Sequence, residues 1–96
     1  MSHDTTYRTV DIERRGFGKR YTWLPVDQLS REGFAINCAG GYVRPQMYDI
    51  LPGDIARWRE GERLIEAIVA DVHRDDEIVT VRVDGARPLP SDAFHP

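Results

Sequence analysis

The 96-residue chain has a single cysteine, Cys38, and therefore cannot form an internal disulfide. That composition suits a reducing compartment, and a cytoplasmic location is expected. No apolar run approaches the ~20 residues that a membrane helix needs, so no membrane span is expected. The first residues, Met1-Ser2-His3-Asp4, lack the basic-then-apolar layout of a signal peptide. There is one lysine among thirteen basic residues. Internal repeats, low-complexity tracts and a phosphate loop of the Gly-x4-Gly-Lys-Ser/Thr type are also missing. The length fits one domain with a modest core, too small for a multi-layer enzyme.

Charge is present but uneven. The net charge of −3 divides into +1 over residues 1–50 and −4 over residues 51–96. An acidic second half makes duplex DNA an unlikely partner, while a small local anion site stays open.

Strand-like segments dominate the pattern. Residues 1–5 read as a flexible terminus. Thr6 to Arg14 alternates through Val10 and Ile12 and ends at Gly16-Phe17-Gly18. Tyr21 to Leu29 places Tyr21, Trp23 and Pro25 on one side, with Pro25 confining it to an edge or a bend. After the turn Ser30-Arg31-Glu32-Gly33, Phe34, Ile36 and Cys38 share a face. Ala39 to Pro52 is irregular. Over 54–73 two readings compete. Ile55, Trp58, Ile65, Val69 and Val72 have helical spacing, but Gly61 interrupts it and β-branched residues crowd the segment. Two strands joined at Glu60-Gly61 are expected, with one helix over about 54–73 as the alternative. Ile78 to Val83 turns Val79, Val81 and Val83 inward, Asp84-Gly85 stops it, and 86–96 forms a Pro-rich tail. The expected fold is all-β, a small six-stranded antiparallel barrel spanning 6–85.

Two clusters carry candidate chemistry. Arg14, Arg15, Lys19 and Arg20 surround Gly16-Phe17-Gly18 with no acid among them. Arginine offers paired planar donors to phosphate or to guanine, and Phe17 and Tyr21 offer stacking faces. This set suits a guanine nucleotide or single-stranded nucleic acid. The second cluster runs through Asp27, Gln28, Ser30 and Gly33, where a hydroxyl and a carboxylate meet at a glycine turn. His3, His73 and His95 are scattered, and Ser30 lacks the setting of a catalytic nucleophile. No catalytic residue, metal ligand or cofactor is expected. Trp23, Phe34, Tyr48 and Trp58 read as core, and an exposed Tyr42 or Tyr48 in the irregular loop would mark a contact surface.

The basic residues, the Ser30-Arg31-Glu32-Gly33 motif, the apolar strand after it and Leu51-Pro52-Gly53-Asp54 opening the next together resemble a PilZ domain. Arg15-Gly16-Phe17-Gly18-Lys19 stands for that family's Arg-x-x-x-Arg, with lysine in second place. Gln28 stands where its serine motif carries an acid or asparagine, and Asp27 adjoins it. The resemblance implies a six-stranded barrel binding cyclic di-GMP through Arg14, Arg15, Lys19, Arg20, Asp27, Gln28, Ser30 and Gly33. It equally accommodates a degenerate regulator that acts through a protein partner. A single-stranded nucleic-acid-binding barrel is the alternative, since Arg15-Gly16-Phe17-Gly18 also resembles the opening of the cold-shock and RRM motif.

Overall fold

The computed structural model describes residues 8–90. Its elements are β1 (Arg8–Arg14), β2 (Gly18–Val26), β3 (Gln28–Ser30), β4 (Gly33–Asn37), β5 (Ile55–Glu60), β6 (Arg63–Arg74) and β7 (Ile78–Pro88), with one 3-10 turn at Pro45–Met47. All pairings are antiparallel, and the sheet order is β2-β1-β5-β6-β7-β4-β3. The sheet curls into a half-barrel, so the all-β expectation holds.

The two outermost strands of that order, β2 and β3, are neighbours in sequence, separated only by Asp27. One extended ribbon thus pairs with β1 along its first part and with β4 along its last. Asp27 makes the corner: its N–H donates to Ala35 O at 2.8 Å, and its carboxylate accepts from Asn37 N–H. This split is why seven strands form where the sequence suggests six.

Residues 54–73 contain β5 and β6, paired from Ile55↔Ile68 to Glu60↔Arg63 around Gly61, so the helical alternative fails. Gly61 has a φ of +65°, the left-handed geometry a tight hairpin requires and a helix excludes. Alternation then does the rest. Ala56, Trp58, Ile65, Ala67, Val69, Val79, Val81 and Val83 all point inward and are buried with Val10, Ile12, Phe34, Ile36 and Ile50.

Two sequence boundaries shift. Asp84-Gly85 does not end the last strand; Gly85, at φ +68°, supplies a bulge, and β7 runs on to pair Pro88 with Ile65. The tail therefore starts later than residue 86, and residues 91–96, like 1–7, lie outside the described residues. In β2 the expected face is wrong for two residues. Ile12 pairs with Tyr21 and Val10 with Leu24, so Thr22 and Trp23 together oppose Asp11. This bulge reverses the alternation: Tyr21 stays with the core, Leu24 and Val26 turn in, and Trp23 and Pro25 turn out.

The irregular stretch 39–54 is fastened by two arginines. Arg74 donates to the carbonyls of Pro45, Tyr48 and Ile50 at 2.9–3.2 Å. Arg14 reaches across from the end of β1 to Asp49 and to the buried Asp54. No helix among the described residues is long and apolar enough to cross a membrane.

Candidate functional site

The eight residues singled out in the sequence fall into two separate groups. Arg14, Arg15, Lys19 and Arg20 flank the β1–β2 turn; Asp27, Gln28, Ser30 and Gly33 lie at the β2–β3 corner and the β3–β4 turn. Between Gly18 and Gln28 lies the whole of β2, roughly 30 Å of strand at about 3.3 Å per residue. The two groups therefore do not share one pocket.

Most of these side chains already have partners. Arg14 Nε donates to Asp54 Oδ1 at 3.0 Å, and its Nη2 donates to Asp49 Oδ1 at 2.9 Å. These bonds hold the guanidinium firmly charged and push the Asp49 carboxyl below the usual aspartate range. Arg20 pairs with Asp49 at 3.4 Å, and Lys19 with Asp11 at 3.3 Å. Ser30 Oγ accepts from Glu32 N–H at 3.1 Å, which is turn chemistry. Arg15 is exposed at the hairpin tip beside Phe17, and Gln28 is exposed on β3.

Gly33 is required by the fold. At φ +154°, a Cβ there would lie 2.0 Å from Val81 O. What approaches this glycine closely is the backbone of β7. Asp27, Gln28, Ser30 and Gly33 do line one shallow outer groove of about 510 Å3 with Arg8 and Arg82.

A larger cleft, about 830 Å3, lies at the other side of Ser30. It is lined by Arg8, Thr9 and Asp11 of β1, Trp23 of β2, Leu29 and Ser30 of β3, and, from the β5–β6 hairpin, residues 57–61 and Leu64. That volume falls in the ~300–1,000 Å3 range of small-ligand sites. Trp23 is its most unusual member. Its side chain is 75% exposed, and with φ +57° it is the one described non-glycine residue in the left-handed region. Such a conformation costs about 1–2 kcal/mol for an L-residue. Asp11 Oδ1 holds it in place by accepting Trp23 N–H at 2.8 Å. Trp58, the second tryptophan, is core as expected, whereas Trp23 is not.

The charged groups of this cleft differ in how far they are occupied. Arg57 donates to Glu13 at 2.6 Å and to Glu66 at 2.9 Å. Glu60 is held by Arg31 at 2.6 and 3.1 Å, and Asp11 by Lys19 and the Trp23 N–H. Arg8 and Arg59 have no carboxylate partner among the described residues.

Sequence reasoning missed Trp23, Arg8, Arg57 and Arg59. No local signal marks them, because the bulge that exposes Trp23 is a mismatch between two strands and the arginines converge only once β1, β3 and β5 are assembled. No family model matches the chain, and no match is found among curated proteins or solved structures.

Proposed function

We propose that this chain is a non-enzymatic binding module, a small barrel resembling a degenerate PilZ domain, whose recognition surface is the Trp23 cleft. One observation carries the reading: a large aromatic side chain is presented to solvent by a backbone conformation that its residue type disfavours, beside a cleft of ligand size. Strain of this kind concentrates at recognition sites. Cyclic di-GMP binding through the signature residues is not the favoured form, because Arg14, Lys19, Arg20 and Ser30 are engaged internally and the two motifs are separated by β2. A protein partner is the second reading, favoured by Tyr42, Val43, Met47 and Leu51, which expose apolar surface on the loop before β5.

The test is an amide-resolved NMR screen of the full chain with small aromatic and anionic fragments, run beside a cyclic di-GMP titration of wild type and Arg15→Ala. Shifts should cluster on Trp23, Ser30 and Gly61, and the two cyclic di-GMP titrations should coincide. Shifts confined to 14–20, or a cyclic di-GMP response that Arg15→Ala abolishes, would overturn the reading.

A further inference from the structure

We infer that Trp23 is a stacking platform for a nucleobase and that Arg8 and Arg59 receive the phosphate attached to it, so that the cleft takes phosphate-bearing, unpaired nucleobases. The inference rests on the binding-module reading above and assigns its ligand class.

The argument is one of subtraction. Each acidic group lining the cleft is answered from within the molecule: Asp11 by Lys19 and the Trp23 N–H, Glu60 by Arg31. Arg57 is likewise held between Glu13 and Glu66. The charges left without a carboxylate partner among the described residues are both guanidinium groups, on Arg8 and Arg59. An anion is therefore the charge class the cleft accepts. Guanidinium favours planar, bidentate oxyanions, of which phosphate is one. The remaining feature is a flat aromatic face, exposed, on a backbone that Asp11 holds through the Trp23 N–H. Nucleobases have matching faces, and aromatic–base stacking tolerates any base. A duplex keeps its bases stacked on one another and offers Trp23 no free face, so the ligand is unpaired. Ser30 and Glu60 add polar groups at the rim of the same cleft.

Trp23 also supplies the readout. The chain has two tryptophans, and Trp58, 3% exposed, lines the same cleft, so the part of the quenching that Trp23→Phe abolishes reports on Trp23. The probes are a ten-residue oligothymidylate, GMP, cyclic di-GMP and inorganic phosphate. Saturable quenching by the oligothymidylate or by a nucleotide, and none by phosphate, is expected. A strand that binds much more tightly than GMP identifies nucleic acid as the source of the ligand; equal affinity identifies the free nucleotide.

Trp23→Gly keeps a residue suited to the backbone there and removes the platform. By fluorescence anisotropy with a labelled probe, its affinity should fall about tenfold or more, while Trp23→Phe retains most of it. Arg8→Ala with Arg59→Ala should flatten the dependence of log affinity on log salt by one to two charges' worth. Unchanged affinity in Trp23→Gly overturns the inference. So does the absence of binding by every probe when fragments still shift Trp23 in the NMR screen, an outcome that leaves the binding-module reading standing. Silence in both experiments overturns that reading as well.

Discussion

Replacing Gly33 with alanine separates a structural glycine from a ligand-contacting one. The added Cβ would sit 2.0 Å from Val81 O, 3.0 Å from Val81 C and 3.1 Å from Arg82 Cα. All three are backbone atoms, so no side-chain rotation relieves the contact. Relief needs β4 and β7 to part by about 1 Å, which stretches the ladder at Gly33↔Arg82 and Phe34↔Val81 and the nearby bond from Val83 N–H to Glu32 O at 2.9 Å. One or two weakened bonds at about 1 kcal/mol each, added to a backbone cost of about 1–3 kcal/mol, give roughly 3 kcal/mol. In a domain of this size that lowers Tm by roughly 12–24 °C. Gly85→Ala is the control. Its φ of +68° carries the backbone cost, but the space around it is open, so a loss of about 1 kcal/mol is expected. Thermal melts followed by far-UV circular dichroism measure both. Equal melts for the two variants, or a Gly33→Ala protein as stable as wild type, would refute the assignment of Gly33 to the β4–β7 contact.

Two further expectations concern titrating groups. Burial pushes the Cys38 thiol above its ordinary range, so little thiolate is available near neutral pH. Alkylation of the native protein by iodoacetamide should be about tenfold slower than in urea, and equal rates in the two states would contradict the buried placement. Asp75 is pulled below the usual aspartate range by the backbone N–H groups of Glu77 and Ile78, at 2.8 and 2.7 Å. A carboxyl lowered on folding contributes stability that is complete above about pH 4 and is lost as the pH falls through the folded value. Asp75→Ala should therefore flatten the acid limb of a Tm–pH profile, and a limb of unchanged steepness would count against the turn bonds.

What could be read from the sequence depended on range. Val79, Val81 and Val83 declare their strand because alternation is local and strong, and Ile65, Ile68, Val69 and Val72 favour a strand over a helix by their branching. Trp23 defeats the same logic, since its face is set by Asp11 opposite it and not by its neighbours along the chain. Arg14 looked like an uncommitted cation because its partners, Asp49 and Asp54, lie 35 and 40 residues away. Ser30 and Gly33 read locally as a turn pair, which they are, but no local pattern shows that β7 occupies the space beside the glycine. The site was thus the less legible part: its members come from five strands and meet only once the sheet is assembled.

The single-residue link at Asp27 has a consequence for how the chain assembles. The β5–β6–β7 meander is built from contacts close in sequence, whereas β1 must find β5 and β4 must find β7 across gaps of more than forty residues. These non-local steps carry the loop-closure entropy and are the slow ones. Because β2 and β3 are tethered by one residue, capture of either N-terminal hairpin by the meander raises the effective concentration of the other at the opposite flank. The second docking is then nearly intramolecular, and an insertion after Asp27 would slow folding more than it weakens the finished sheet.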